Sequence, residues 1–201
     1  LYYLWHRIDK ETSGIVVLTK DAESCANVVA QFAQRKTEKA YLAILRGETP
    51  DAFEVGEPMG RAVRSKIRLK MECLPESEGG QVASTAFKTL ERAGAPGKRY
   101  SLVECYPKTV RQHQIRVHAE HAGFPLVGDK LYGVDEDFAL LFYDRDRLTP
   151  EAEAKLLLPR HALHAARLKI THPTTGKPIE FRSELREDLA DFFQAQRKLG
   201  L

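Results

Sequence analysis

A carboxylate flanked by basic side chains near the start of the chain is the first candidate for chemistry. Asp9 lies between Arg7 and Lys10, in a segment that ends in the turn-forming residues Thr-Ser-Gly at 12–14. Because nearby positive charge favours the ionised form of a carboxylate, Asp9 could act as a nucleophile or as a general base. The alternative is a surface ion pair with one of its two neighbours, which is the common situation for an isolated aspartate.

A lysine and a tyrosine on one predicted strand form the second candidate group. The segment 36–47 predicts a strand that ends at Gly47, and Lys39 and Tyr41 lie two positions apart within it. Side chains at this spacing project from the same face of a strand. Tyr41 could therefore lie against an aromatic ligand, although a half-buried structural tyrosine is the ordinary alternative.

The third candidate is an arginine in a predicted helix over 113–122. Arg116 lies in the early turns of this helix, where three polar residues are close enough in sequence to hold it in place. These residues are Gln112, His113 and Glu120. We expect them to fix the direction of the guanidinium group.

The same helix contains histidines that could bind a metal ion. His118 and His121 lie three positions apart, and His113 precedes them. No acidic or cysteine ligand shares their face at a spacing that is usual for zinc. We therefore predict no metal site.

The three segments resemble the motifs of the RluA-type pseudouridine synthases, enzymes that convert uridine in RNA into its C-glycoside isomer. The string His-Arg-x-Asp-x-x-Thr-Ser-Gly at 6–14 is similar to the family's signature, and Lys-x-Tyr with a later Gly is similar to its second motif. The string Thr-Val-Arg-Gln-His-Gln-Ile-Arg-Val-His at 109–118 resembles the third motif. It departs from that motif at Val110 and Gln112, where the family has Gly and Thr, and we expect these departures to affect substrate geometry more than chemistry.

The resemblance implies a role for each candidate residue. Asp9 corresponds to the catalytic nucleophile, Tyr41 to the tyrosine that lies against the target base, and Arg116 to the arginine that pairs with the aspartate. Arg7 corresponds to the arginine that helps to fill the space vacated by the target base. A uridine inside a helix would have to be flipped out or single-stranded to reach Asp9.

A cluster of basic residues in the middle of the chain predicts contacts to RNA phosphates. Positions 61–70 contain five Lys or Arg residues and no acid, and strict alternation over 66–73 predicts a strand with a basic, solvated face. A charge run of this kind is more often only a solvated surface. The predicted RNA-binding residues are Arg7, Lys39, Arg68, Lys70, His113 and Gln114.

The fold expected from the resemblance and from the hydrophobic pattern is α+β. We expect a pseudouridine synthase fold, with a mixed and mostly antiparallel sheet flanked by helices and loops, in a single catalytic domain over residues 1–201. A segment that precedes the first motif in the family is expected to be missing here. The pattern predicts a strand at 15–18, a helix at 22–35 capped by Asp21, a loop at 48–60, an antiparallel meander of strands at 66–73, 82–90 and 99–106, a partly helical insertion at 134–159, and a last helix containing Leu185, Leu189, Phe192, Phe193 and Leu199.

Two histidines near the end of the chain lie in a segment that resembles the family's closing strand. His161 and His164 precede the His-Pro pair at 172–173. Catalytic roles for them are one alternative, but structural hydrogen bonds are the interpretation we favour.

The composition agrees with a protein of this class and does not by itself identify a partner. The chain has 201 residues, 43% of them hydrophobic, and a net charge of only +3. The three cysteines are far apart, which favours neither disulfides nor a thiolate metal site and fits a reducing compartment. With no long apolar stretch and no leader pattern, we expect a cytoplasmic protein. We also expect it to be a monomer.

The sequence as a whole predicts an enzyme. We expect an RNA pseudouridine synthase that isomerises uridine to pseudouridine in structured ribosomal or transfer RNA by covalent aspartate catalysis, without a cofactor because the reaction involves no redox change. Two other classes remain open: a non-catalytic RNA-binding module that kept the fold, and a carboxylate-based nucleoside hydrolase. The expected loss of the N-terminal segment and the departures at Val110 and Gln112 favour the module slightly. The presence of Asp9, Tyr41 and Arg116 opposes it strongly.

Overall fold

A mixed β-sheet forms the centre of the computed structural model, which describes residues 2–4, 7–145 and 149–200. His6, the first residue of the first motif, lies outside these ranges. The strands within them are β1 (Ser13–Gly14), β2 (Glu38–Arg46), β3 (Ala52–Val55), β4 (Met59–Arg61), β5 (Met71–Cys73), β6 (Thr85–Ala93), β7 (Tyr100–Pro107), β8 (Leu163–Thr171) and β9 (Pro178–Arg182). The helices are α1 (Ala22–Ala33), α2 (Gln114–His121), α3 (Glu136–Arg145), α4 (Pro150–Leu156) and α5 (Glu187–Leu199).

Seven of the strands in the described ranges form the main sheet in the order β1-β8-β2-β7-β6-β3, and β9 pairs with β8. Among the strand pairs of the described residues in this sheet, only β1–β8 is parallel. β4 and β5 form a separate two-stranded sheet. The α+β class and the mostly antiparallel sheet are therefore confirmed.

The central strand β2 is buried on both of its faces. Ala43 and Leu45 pack with residues of α2, whereas Ile44 belongs to a second core with Leu189 and Phe193 of α5. This two-sided burial follows from the alternation of side chains along a strand. It also makes β2, which contains Tyr41, one of the most firmly held elements of the sheet.

The helix at the edge of the sheet begins as its sequence predicts. The Asp21 carboxylate accepts a hydrogen bond from the backbone N–H of Ser24 at 2.7 Å, as an N-cap should. On the inner face Val28 is buried, but Val29 is exposed and Gln31 is buried instead. The Gln31 amide forms hydrogen bonds with both the N–H and the C=O of Thr171, at the end of β8.

The prediction of a strand over 66–73 was wrong for all but its last three residues. Residues before Met71 form turns that are organised around one carboxylate, Glu136 at the start of α3. Glu136 accepts hydrogen bonds from the Ser65 hydroxyl, the Lys66 N–H and the Lys70 ammonium group. This side chain supplies bonds that a neighbouring strand would otherwise supply, so the alternating pattern is not used as a strand.

The prediction of a loop over 48–60 was also wrong, because β3 and β4 lie there. β3 pairs with β6, and β6 pairs with β7, so the predicted meander contains a different first strand. The segment 15–18 does not form a strand either. β9 occupies the edge of β8 from Arg167 to Thr171, which leaves only His164 and Ala165 to pair with β1.

The C-terminal half contains the expected helices. The segment 134–159 holds α3 and α4, which confirms a partly helical insertion. In α5, Leu189 and Phe193 are buried, whereas Leu199 is exposed and lies off the buried face. None of the helices in the described part of the chain combines the length and the hydropathy that a bilayer-spanning segment needs.

Gly14 offers a test of how β1 is attached to the sheet. A Cβ atom at this position would lie 2.2 Å from the carbonyl oxygen of Ala165, and φ is +107°. We expect Gly14→Ala to lower the free energy of unfolding, measured by urea denaturation, by about 1–3 kcal/mol more than Gly176→Ala. Gly176 is the matched control because its φ is also positive, at +68°, but nothing lies near its missing Cβ. Equal effects of the two substitutions would contradict close packing of β1 on β8.

Candidate active site

Arg116 connects the first and third motifs across 107 residues of sequence. Its Nη1 donates a hydrogen bond to Oδ2 of Asp9 at 3.0 Å. The Arg116 side chain is only 6% exposed, whereas that of Asp9 is 27% exposed. The structure therefore brings the predicted acid and guanidinium together, with the acid at the more open end of the pair.

Arg116 is held from behind by Asp129, a residue that the sequence analysis missed. Nε and Nη2 of the guanidinium donate to the two Asp129 carboxylate oxygens at 2.6 and 2.8 Å, in a bidentate arrangement. The backbone N–H groups of Leu131 and Tyr132 also donate to Asp129 Oδ1. Because the guanidinium is planar and its Nε–Nη2 edge is fixed, the direction of Nη1 toward Asp9 is fixed as well.

The charges of this pair stabilise each other despite full burial. Burial alone would raise the pKa of Asp129, but the Arg116 guanidinium outweighs it and holds that pKa below its usual range. Burial likewise opposes the charge on Arg116, whose pKa is nevertheless raised by the Asp129 carboxylate. The predicted supports Gln112, His113 and Glu120 are thus not the main ones. A buried arginine requires a buried acid, and Gly128-Asp129, which begins ten residues after the third motif ends at His118, was the available signal.

The loop that carries Asp9 is fixed by the two histidines of the closing segment. The Thr12 hydroxyl forms a hydrogen bond with Nε2 of His161 at 2.8 Å, and the Ser13 hydroxyl forms one with Nδ1 of His164 at 2.9 Å. Burial and the Arg116 charge lower the pKa of His161 to about 3, so its ring is neutral at neutral pH. Both histidines make the structural hydrogen bonds that were expected of them.

Tyr41 and Asp9 line the same pocket. The pocket lies between the Asp9 loop, β2 and the start of α2, and its walls include Arg7, Asp9, Lys39, Tyr41, His113 and Arg116. Burial and the charge of Asp9 raise the pKa of Tyr41 to about 12. The phenol therefore stays protonated at neutral pH. A protonated phenol is suited to packing against a nucleobase and not to abstracting a proton.

Lys39 lies at the edge of this pocket beside Tyr41, as the spacing predicts. Burial lowers the pKa of its ammonium group to about 8. The ammonium nitrogen lies 5.1 Å from the centre of the Phe32 ring. An anion that binds beside this partly desolvated ammonium group would stabilise its charged form.

The other predicted RNA-binding residues lie in different environments. Arg7 is exposed at the pocket, and Arg68 is exposed on the 62–70 loop. The Lys70 ammonium is paired with Glu136 at 3.2 Å, so any phosphate would compete with that carboxylate. His113 lies between Asp9 and Tyr132, with its Nε2 4.0 Å from Asp9 Oδ2 and its Nδ1 2.9 Å from the Tyr132 hydroxyl.

Gln114 is buried, and its amide is used within the protein. Its oxygen accepts hydrogen bonds from the Thr109 hydroxyl and the Arg111 N–H, and its nitrogen donates to Ser84 and Thr85. These bonds argue against the predicted RNA contact, because no amide proton is left to donate. Gln114 instead orders the turn that leads into α2.

The two departures from the third motif are accommodated at the surface. Val110 is 64% exposed at the rim of the pocket, and its φ is not among the positive values of the chain. The backbone there does not need glycine for conformational reasons. Gln112 is exposed as well.

The histidines of α2 do not form a shared site. His118 is buried and bonds Thr85 and the Glu57 carbonyl through its two ring nitrogens, whereas His121 is exposed. Within residues 2–4, 7–145 and 149–200, no group of three or more His, Cys, Asp or Glu side chains is arranged to hold a metal ion.

Sequence comparisons identify relatives over nearly the whole chain. Ribosomal large subunit pseudouridine synthase D of Nitrosomonas europaea is 34% identical over 197 residues, which is 96% of this chain and 51% of the relative. The protein of the same name from Pseudomonas aeruginosa is 36% identical and covers 91% of this chain and 53% of its own length. RNA pseudouridine synthase 2, chloroplastic, of Arabidopsis thaliana is 34% identical over 98% of this chain and 46% of its own. The chain thus spans about half the length of these curated relatives.

Solved structures share the fold. Human RNA Pseudouridylate Synthase Domain Containing 4 matches with a TM-score of 0.72 and 26% identity, over 98% of this chain and 76% of the human one. Human RNA Pseudouridylate Synthase Domain Containing 1 matches with a TM-score of 0.71 and 24% identity, over 99% and 81% of the two chains. The pseudouridine synthase fold expected from the motifs is confirmed.

A sequence profile described as RNA pseudouridylate synthase matches residues 2–121, which is more than half of the chain and includes all three motifs. The names of the bacterial relatives agree with the RluA-type resemblance of those motifs. We conclude that this protein belongs to the RNA pseudouridylate synthase family.

Proposed function

We propose that this protein isomerises uridine to pseudouridine in a structured RNA, with Asp9 as the covalent nucleophile. The observation that carries the proposal is the Asp9 carboxylate, hydrogen-bonded to a buried guanidinium and facing a pocket that Tyr41 also lines. In the reaction the bond between N1 and C1′ breaks, the base turns, and C5 bonds to C1′. The proton on C5 is lost and N1 gains one, so no oxidant or reductant is consumed.

The geometry of the Arg116 contact supports the role of Asp9. Arg116 bonds Asp9 through Oδ2, which leaves Oδ1 as the oxygen for bond formation. The Asp129 carboxylate keeps the guanidinium in place, so Asp9 meets an oriented donor without reorganisation during the reaction. Such preorganisation is what a carboxylate nucleophile needs to reach a near-attack position.

Tyr41 has the properties of a surface for the uracil ring. It lies in β2, between β7 and β8, so its position is fixed by pairing on both sides. Its phenol remains protonated because its pKa is raised to about 12. We propose that its ring stacks on the uracil. The protonated phenol adds no charge to the pocket.

The relatives suggest which RNA to test first. The bacterial relatives are named for the ribosomal large subunit, which supports ribosomal RNA as the substrate, with transfer RNA as the second candidate. Arg7 is exposed beside Asp9 and is available to enter the space left by the flipped uridine. Lys39 and Arg68 are the other predicted contacts whose cations face the pocket or the solvent.

The working form of the enzyme is also part of the proposal. A single chain brings Asp9, Tyr41 and Arg116 together, which supports an active monomer. The isomerisation involves no change in oxidation state, so we propose that it proceeds without a redox cofactor. The cysteines at 25, 73 and 105 are free thiols, which fits the reducing conditions of the cytoplasm.

Replacing the proposed nucleophile should abolish isomerisation and leave RNA binding nearly intact. We expect Asp9→Asn to reduce tritium release from RNA labelled at C5 of uridine by at least about a thousandfold, because the covalent step is lost. Asp191→Asn, on the exposed face of α5, is the matched control and should keep full activity. Turnover by Asp9→Asn would exclude the nucleophile assignment. RNA binding without tritium release by the unaltered protein would favour the non-catalytic module, and release of free uracil would favour the hydrolase.

Removing the buried partner of Arg116 should affect stability as well as activity. We expect Asp129→Asn to lower the free energy of unfolding by about 3–5 kcal/mol. The substitution removes one of the two carboxylates that balance the charge of the buried Arg116 guanidinium and leaves only Asp9. Asp9→Asn keeps the Asp129 pair and should change stability much less. The pKa of Asp129 is lowered on folding, so its contribution is present above the usual pKa of an aspartate and is lost as the pH falls through the lowered value. Chemical denaturation at pH 7 of both variants tests this, and equal losses would contradict it.

Neutralising one exposed cation should weaken RNA binding in a salt-dependent way. We expect Arg68→Gln to reduce the slope of log K against log salt concentration by about 1, as for the loss of one phosphate contact. Lys198→Gln, on α5, is the control and should leave the slope unchanged. Filter binding from 50 to 200 mM salt measures both, and an unchanged slope for Arg68→Gln would remove Arg68 from the interface.

A further inference from the structure

His113 has a backbone conformation that its position in the helix does not explain. It is the N-cap of α2, yet its φ is +58° and its side chain makes no capping hydrogen bond. A non-glycine residue in the left-handed region costs free energy and persists only where the surroundings hold it. Contacts of the His113 side chain, and not helix capping, therefore hold this backbone conformation.

The Tyr132 hydroxyl lies where its proton can select which nitrogen of the His113 ring is protonated. The Tyr132 hydroxyl oxygen accepts a hydrogen bond from the backbone N–H of Met71 at 3.0 Å, so its own proton is available to another acceptor. Nδ1 of His113 lies 2.9 Å from that oxygen. With Nδ1 accepting, a neutral His113 carries its proton on Nε2.

The Nε2 side of the ring faces the proposed nucleophile. Nε2 lies 4.0 Å from Oδ2 of Asp9, the oxygen that also accepts from Arg116. This is too long for a hydrogen bond in the free protein, and catalytic hydrogen bonds commonly shorten when substrate binds. Tyr132 also lies under Arg116, with the guanidinium carbon 4.9 Å from its ring centre. One buried tyrosine thus supports both side chains that approach Asp9.

We propose that His113 is a positioning residue whose Nε2–H donates to Asp9 Oδ2 in the RNA complex, with its tautomer set by the Tyr132 hydroxyl. Together with Arg116, it would hold Oδ2 from two sides and turn Oδ1 toward the uridine. The inference rests on the proposed function of Asp9 as the nucleophile. It replaces the earlier expectation that His113 contacts RNA.

The electrostatic surroundings agree with a neutral ring. Burial and the charge of Arg116 lower the pKa of His113 to about 4, against the opposing charges of Asp9 and Asp129. The other titratable groups nearby are Tyr132, whose pKa is raised mainly by burial, and His161, whose pKa is lowered to about 3. Activity should therefore not depend on titration of His113 between pH 6 and 8, the range in which an ordinary histidine titrates.

The first test reads the tautomer without reference to activity. Nitrogen-15 NMR of the histidine-labelled protein should show His113 with a protonated Nε2 and an unprotonated Nδ1 at pH 7. Tyr132→Phe should weaken this preference, because the hydroxyl donor is gone. A protonated Nδ1 in the unaltered protein would overturn the proposal. This result does not depend on whether the protein isomerises uridine, so it is separable from a failure of the proposed function, which would appear as no tritium release by the unaltered protein.

The second test uses a substitution that tolerates the backbone. Asparagine adopts the left-handed region more readily than most residues but cannot reach the Nε2 position, so His113→Asn keeps the fold and loses the donor. We expect kcat for tritium release to fall about tenfold to a hundredfold, with KM nearly unchanged. His113→Gln, whose amide nitrogen reaches close to the Nε2 position, should recover most of that loss. Unaltered kcat in His113→Asn would overturn the proposal.

A double-mutant cycle separates positioning from packing. Tyr132→Phe should lower kcat in the unaltered background and have no further effect in the His113→Asn background, because the donor it orients is absent. Tyr100→Phe, in the core beside α5, is the control and should leave kcat unchanged in both backgrounds. An equal effect of Tyr132→Phe in the two backgrounds would mean that Tyr132 acts only through packing, and would overturn the proposed relay.

Discussion

The arrangement of the site depends on one buried ion pair, the bidentate contact between Arg116 and Asp129. Neither group is exposed enough to be solvated, so each must compensate the other. The contact fixes α2 to the turn at Gly128, where a Cβ atom would lie 2.1 Å from the Arg160 carbonyl oxygen. Because Arg116 and Asp129 are both held in place, the remaining guanidinium donor, Nη1, points toward Asp9.

The loop that carries Asp9 has little secondary structure of its own and is fixed mainly by side chains. β1 contains two residues, and its ladder with β8 is correspondingly short. The hydroxyls of Thr12 and Ser13 provide further attachment through His161 and His164, which precede or begin β8. The Thr-Ser-Gly end of the first motif is therefore explained by anchoring: two hydroxyls reach the histidines and a glycine allows close approach to Ala165. The same residues that make the motif recognisable hold its aspartate in place.

The sequence could predict the elements whose patterns are local. α1 has an Asp cap, α2 is followed by a glycine, and β2, β6 and β7 are alternating or apolar segments; these lie close to their predicted positions. It could not predict the 62–70 loop, where the alternation matches a strand. The Glu136 carboxylate of α3, 70 residues after Lys66, accepts from the Lys66 backbone N–H and also from the Lys70 ammonium group. The role of Asp129 could not be predicted for a related reason. A bidentate pair between residues 13 apart leaves no periodic signal, and only the need to compensate a buried arginine indicates it.

The charges at the centre of the site do not cancel. The linked group consists of one guanidinium, Arg116, and two carboxylates, Asp9 and Asp129, while the nearby rings of His113 and His161 are neutral. One positive and two negative charges leave an excess of one negative charge in a poorly solvated space. A phosphate group is repelled from such a space, whereas an uncharged pyrimidine is not. Arg7 and Lys39 also line this pocket and bring two cations to it. Under the proposed function, such a field favours a nucleotide that enters with its uncharged base first and its phosphates directed away from the two carboxylates.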